Sequence, residues 1–225
     1  EDEELLLNTI IVNANIMLSQ LFAKLQEAFC EVAEWQIRMA EAMTGGCSLQ
    51  EILEMSKPVI GNYIAVNDAA FRMIANTSNI ECDDPLSIKM IEHGFHPEST
   101  LELFSKTKRF DFWEKTDYYV ETGNLYSPYT LVGRIFRINN AYVAHSVMTC
   151  NHYEATPRIL DLYEILCGYI AKFAARDWEN RDVKMLIYNS FLVDLIEGRT
   201  SNMQEIELRL RLTNFPENCN FCLFR

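Results

Sequence analysis

The sequence predicts an α+β protein: a small antiparallel sheet flanked by long N- and C-terminal helices. Three observations carry this expectation. From Ile10 to Ala42, apolar residues recur in steps of mostly three and four, with no proline and no glycine before Gly45–Gly46. Two pairs of partly alternating segments follow, 58–67 with 69–78 and 129–140 with 142–152, each pair separated by a turn-forming dipeptide. Between about Thr156 and Asn180 a second long helix places Ile159, Leu162, Tyr163, Leu166, Ile170, Phe173 and Ala174 on one broad face. Hydrophobic residues make up 49% of the chain and charged residues 23%, which supports a packed core and argues against disorder.

Taken in order, the first helix has the spacing of a coiled-coil seam through Ile10, Ala14, Met17, Leu21, Leu25, Ala28, Val32, Trp35, Met39 and Ala42. It is longer than a small domain needs, so it is expected to pair with a second copy. Ser48 followed by Glu51 forms a capping box for a short helix through Met55. Pro58 then opens the strand VIGNYIAVND, Asn67–Asp68 turns, and AAFRMIANTS returns as its hairpin partner. A short helix runs from Pro85 to His93 and stops at Gly94; another starts near Ser99 or Thr100. Residues 110–123 are aromatic and irregular. An Asn139–Asn140 turn joins the second strand pair. After the 156–180 helix, a further helix spans Asp182–Glu197. Short turns force antiparallel pairing, and helices on one side of the sheet complete the layers.

The net charge is -12, and no basic stripe reverses it locally. Such a chain repels a phosphate backbone, so any work on DNA would need a domain absent from it. Seven cysteines scattered through apolar segments suit reduced thiols in a cytoplasm. The acidic opening EDEELLL does not read as a targeting segment, and no apolar run reaches the roughly 18 residues that span a membrane. The chain begins without Met and stops nine residues after Pro216, just as a new unit opens, so a piece of a longer protein is expected.

Catalytic constellations are missing. His93 and His96 frame Gly94 and Pro97 in an expected loop, with Glu92 and Glu98 as the only acids beside them, short of a zinc ligand set; they read as solvent-facing. Cys219 and Cys222 have metal or redox spacing, but lie on an expected strand where residues three apart face opposite ways. Asp83–Asp84 and Asp111 offer oxygen ligands without an EF-hand loop around them. Phosphate-binding glycine loops and a G-x-S-x-G elbow do not occur. No enzyme, metal or cofactor is therefore expected. The aromatic stretch is different. Rings with polar tips combine area with directed hydrogen bonds, as a small-ligand cavity requires, although core packing uses the same residues. Trp113, Tyr118, Tyr129 and His145 are the candidate ligand-binding walls, with Arg134 and Arg137 near His145 to meet an anion.

The segments PVIGNYIAVNDAAFRMIANTS and LVGRIFRINNAYVAHSVM, with FLVDLIEGR at 191–199 and EIELRLRLTNFP at 205–216, together resemble the N-terminal PAS/GAF-like sensory region of PucR/CdaR-type transcription regulators. Phe191, Leu192, Asp194, Leu195, Gly198, Glu207, Arg209 and Leu212 match that family's junction, while Asn214–Phe215 stands where a glycine is usual. The resemblance implies three parts: a dimerisation helix over 1–45, a PAS/GAF-like sensor over 46–180 that includes its long C-terminal helix, and linker helices with the start of a truncated effector domain over 181–225. It implies a module that binds a small molecule and relays the signal to a DNA-binding domain outside this chain, while the seam from Ile10 to Ala42 and the apolar face from Ile159 add the expectation of a homodimer paired through the N-terminal helix and the 156–180 helix. The alternatives are a ligand-free protein–protein interaction module and a metal-dependent hydrolase built on His93, His96 and an acid.

Overall fold

The computed structural model describes residues 15–69, 71–138 and 140–178, with scattered positions between 192 and 210. Helix α1 (Leu18–Thr44) and helix α2 (Leu49–Ile60) lead into strands β1 (Tyr63–Asp68) and β2 (Met73–Asn76). Three short helices follow: α3 (Pro85–His93), α4 (Glu98–Lys106) and α5 (Arg109–Lys115). Strands β3 (Tyr118–Glu121), β4 (Leu131–Ile138) and β5 (Ala141–Thr149) and helix α6 (Pro157–Trp178) complete the described chain. The strands form one antiparallel sheet in the order β2-β1-β5-β4-β3.

The α+β class and the two hairpins agree with the sequence expectation, and α3 has the expected bounds, but the first turn follows Asp68, because Asn67 and Asp68 are paired within β1. Other expectations are corrected. Pro58 does not open a strand. It sits inside α2, whose residues Leu49, Ile52, Leu53, Ser56 and Ile60 are buried at helical spacing. That apolar face outweighs the one hydrogen bond a proline removes near a helix end. The helix stops instead at Gly61, in the left-handed region with φ 73°, where the Tyr153 ring would stand 2.4 Å from any Cβ. Another correction lies in the aromatic segment 110–123, which is ordered as α5 and the edge strand β3. Both are too short for a period to show in the sequence.

Helices cover both faces of the sheet, not one. Registers put Tyr63, Ala65 and Asn67 beside Thr149, Val147 and His145, and these beside Leu131, Gly133 and Ile135. Tyr119 and Glu121 continue that face on β3. Helices α3–α5 lie over it. Across the other face run α2 and α6, where Tyr163 Oη donates to Ser146 Oγ at 3.0 Å. The first five residues of β1 are buried in succession, as a doubly covered strand requires.

Helix α6 spends its broad apolar face in this core, with Leu162, Tyr163, Leu166 and Ile170 buried. The face that suggested pairing through residues 156–180 is thus filled by the chain itself. Helix α1 behaves differently along its length. Trp35 and Met39 are fully buried, while Leu18, Phe22, Leu25 and Phe29 are exposed. Ile10 and Ala14 lie outside the described residues, as do Cys219 and Cys222. Of the expected 182–197 helix, the described residues Leu192, Val193, Leu195 and Ile196 are helical, and Gly198 follows at φ 68°. The end of α1 is tied to α6: Arg176 donates to the carbonyls of Met43 (2.7 Å) and Cys47 (2.8 Å), and Tyr169 Oη donates to Gln36 O (2.9 Å). The Met43 bond satisfies one of the last carbonyls of α1.

The capping box at the start of α2 is complete: Ser48 accepts from the Glu51 N–H and donates its own N–H to Glu51. Ser48→Ala should lower the unfolding free energy by about 1 kcal/mol, read as a shift of the urea midpoint at unchanged slope. An unchanged midpoint would remove the box from the stability of α2.

Candidate functional site

Between α3–α5 and the inner sheet face lies a cavity of about 60 Å³. Its floor is Tyr63, Ala65 and Asn67 of β1 with Thr149, Val147 and His145 of β5; its roof includes Ser87 and Met90 of α3, Phe104 of α4, and Arg109 and Trp113 of α5. Asp84 and His96 enter from the loops flanking α3.

The α5 end of the cavity is a stack of rings around one cation. Phe71, Phe104 and Phe110 meet the Trp113 ring at centroid distances of 5.8, 5.1 and 5.7 Å, mostly edge-on, and His145 meets it at 5.0 Å. Phe71 is seated there by a turn in which its own φ is 60°. A buried non-glycine residue in that region costs about 1 kcal/mol or more, and the contacts with Trp113, Phe110 and Tyr142 oppose that cost. The Arg109 guanidinium is buried and lies 4.7–5.4 Å from the ring centroids of Phe112, Trp113, Tyr119 and Tyr126. It forms a two-pronged ion pair with Glu121. Burial works against the Arg109 charge, but the Glu121 hydrogen bonds offset it and leave the Arg109 pKa raised.

Tyr119 crosses the sheet to reach His145, with 2.9 Å between its hydroxyl and Nε2. This path exists because its β4 neighbour is Gly133: a Cβ there would stand 2.1 Å from the Tyr119 ring. Burial pushes the Tyr119 hydroxyl up to about 12. Burial, then the Arg109 charge, pushes His145 down to about 3. His96 is also lowered to about 3, by burial and then Lys89. It is partly exposed at its surface, so its shift counts for less than that of His145. Both imidazoles are neutral at physiological pH.

Several polar atoms of this wall have no partner among the described residues. Asn67 Oδ1, Asp84 Oδ1 and His96 Nδ1 are buried without a hydrogen bond, and Trp113 Nε1 has none of ordinary geometry. Asp84 uses its other oxygen to cap α3, accepting from the backbone N–H and the hydroxyl of Ser87, each at 2.8 Å.

Of the residues singled out from the sequence, Trp113 and His145 line the cavity together. Tyr118 does not: it faces the opposite side of the sheet, with Tyr119 in the place expected for it. Tyr129 is also outside, its hydroxyl donating to Asp83 Oδ1 at 2.6 Å. Arg134 and Arg137 do not join His145. Arg134 pairs with Glu164 at 3.5 Å, and Arg137 pairs with Asp117 at 2.9 Å and donates to the Trp113 and Glu114 carbonyls closing α5. They border a larger groove of about 340 Å³ between β4 and α6, to which none of the unpartnered buried atoms belongs. His96 is not the solvent-facing loop residue expected, whereas His93 is exposed at the end of α3. Among the described residues no three His, Cys, Asp or Glu side chains converge as a metal site would need. All five described cysteines are unpaired, and no described helix is long and apolar enough to cross a membrane.

Sequence reasoning missed Asn67, Asp84, Arg109, Tyr119 and Tyr126. The available signals were the Asp-Pro helix start at Asp84–Pro85 and a lone arginine entering an aromatic run at Arg109. No protein-family model matches the chain, and no curated protein matches it in sequence.

The depressed His145 pKa sets a pH dependence. The unfolded chain binds a proton near pH 6.5, while the folded chain resists it down to about 3. The stability contributed by neutral His145 is therefore full above 6.5 and falls by about 1.4 kcal/mol for each pH unit below it. Urea unfolding should lose about 2 kcal/mol from His145 between pH 7 and about pH 5, with a smaller loss from His96. His145→Asn should flatten the profile; an equally steep profile in that variant would contradict a neutral buried His145.

Proposed function

We propose that this chain is the sensory and dimerisation region of a transcription regulator, with a PAS-like module that binds a small molecule in the cavity under α3–α5. The observation that carries the reading is the group of buried polar atoms, Asn67 Oδ1, Asp84 Oδ1 and His96 Nδ1, left without partners around one cavity. Folded proteins leave few such atoms, because each costs about 1–3 kcal/mol. A bound solute removes that cost. The five-stranded antiparallel sheet with three short helices between β2 and β3 is consistent with the PAS/GAF-like resemblance.

The relay runs from the cavity to the long helices. His145 and Thr149 form part of the cavity floor on β5, and α6 follows β5 in the chain. Helix α6 in turn holds the end of α1 through Arg176 and Tyr169. A ligand that binds two packings of these helices unequally shifts their balance by the difference. The exposed residues Leu18, Phe22, Leu25 and Phe29 follow steps of four, three and four, the spacing of a two-stranded seam, so a second copy pairs along the first half of α1. DNA binding belongs to a domain absent from this chain.

A thermal-shift screen of small metabolites tests the sensory part. A ligand that binds the folded state raises the melting temperature by mass action, and Val147→Phe, which places a ring in the cavity, should abolish that rise. No stabilising compound, or an undiminished rise in the variant, would contradict binding here. For the dimer, sedimentation should give twice the chain mass, and Phe22→Glu with Phe29→Glu should give the single mass. A monomeric native chain would rule out the seam.

A further inference from the structure

The polar end of the cavity has a one-sided hydrogen-bonding character. The Ser87 hydroxyl donates to Asp84 Oδ2 at 2.8 Å. A hydroxyl has one proton, so the 3.3 Å contact between Ser87 Oγ and Thr149 Oγ1 is donated by Thr149. That leaves Thr149 Oγ1 with only acceptor lone pairs to offer. The neighbouring Tyr63 hydroxyl accepts from Asn76 Nδ2 at 3.4 Å and directs its proton to Met73 Sδ at 3.9 Å. What remains for a solute at this end is Asp84 Oδ1 and lone pairs on hydroxyl oxygens.

The charge is one-sided too. Asp84 is 1% exposed and has no ion-pair partner among the described residues. Among the described residues, the only cationic side chain in the cavity wall, Arg109, is already paired with Glu121 at the other end. A buried carboxylate with an open oxygen favours a cation that donates hydrogen bonds. Beyond it, Ala65 and Val147 pair across the floor and offer hydrocarbon. The volume, about 60 Å³, is less than half the roughly 150 Å³ of an engineered cavity that admits benzene.

From these observations we infer that the cavity binds a small primary ammonium compound, whose –NH3+ group donates to Asp84 Oδ1 and Thr149 Oγ1 and whose short hydrocarbon lies over Ala65 and Val147. This specifies the ligand class of the sensory site and so rests on the cavity being a binding site at all. It excludes the anion suggested by Arg134 and Arg137, which are engaged elsewhere.

The test is calorimetric titration and thermal shift of the whole chain with ethylammonium chloride, beside ethanol, sodium acetate and potassium chloride at matched ionic strength. Ethylammonium should bind and stabilise, and the other three should not. Asp84→Asn keeps the helix cap, since Asn caps as well as Asp, but removes the charge. It should fold and weaken ethylammonium binding by roughly tenfold or more. Binding of ethanol or acetate in preference to ethylammonium would overturn the ammonium class and leave the cavity a receptor. An equal effect of potassium chloride would replace the organic ammonium with an inorganic cation and overturn the inference. An undiminished response in Asp84→Asn would remove Asp84 from the site. If none of the four solutes acts and the metabolite screen is also silent, both the ligand class and the sensory reading fail.

Discussion

The ion pair between Arg109 and Glu121 holds the helical layer to the sheet, and the cavity depends on it. Arg109 opens α5 and Glu121 ends the edge strand β3, so the pair joins the last roof helix to the outermost strand. The guanidinium cannot shed its proton, and burial alone would make it costly. Two carboxylate oxygens and four ring faces supply what water would have given. Removing Glu121, whose side chain is a quarter exposed, strands the buried Arg109 charge, a far larger effect than losing a surface ion pair. The same helix carries Trp113, whose ring meets His145 at a centroid distance of 5.0 Å.

The two faces of the sheet do different work. Toward α2 and α6 the packing is apolar, and its buried hydroxyls Tyr163 and Ser146 satisfy each other. Toward α3–α5, polar groups are numerous and incompletely paired. The same strands carry both characters because alternate residues point to opposite faces: on β5, His145, Val147 and Thr149 meet the cavity while Ala144, Ser146 and Met148 meet the helices. A glycine at position 133 completes the arrangement by letting Tyr119 cross the sheet. Strain at Phe71 and unpaired atoms at Asn67 and Asp84 fall on the same side, which is where departures from local consistency concentrate in a binding protein.

Much of the architecture could be read from the chain. The capping box at Ser48, the Pro85–Gly94 helix, the hairpin around Asn139–Asn140 and the long 156–180 helix all announce themselves through caps, breakers or period. The elements that escaped are those whose signal is tertiary. Helix α5 has seven residues and β3 four, too few for a period, and Pro58 misleads because a helix tolerates it when an apolar face pulls the other way. The site was legible only in part, for a related reason. Trp113 and His145 were found as an aromatic and a titratable group in one region. Tyr118 and Tyr119 read alike in the sequence because a four-residue strand gives no indication of which of its faces is inside. Asp84 looks like one of a pair of loop acids, and only the fold shows that it caps α3 with one oxygen and leaves the other buried and unpartnered in the cavity wall.

The central claim is that the space under α3–α5 is a receptor for a solute and not an imperfectly packed core. A crystal structure at atomic resolution, with the protein kept throughout in its stabilising ligand, tests this most directly. The account predicts an ordered molecule between roof and floor that donates a hydrogen bond to Asp84 Oδ1, with Arg109 still paired to Glu121 around it. Closed packing, with Asn67, Asp84 and His96 satisfied by neighbouring protein groups and no space left for a solute, would contradict it.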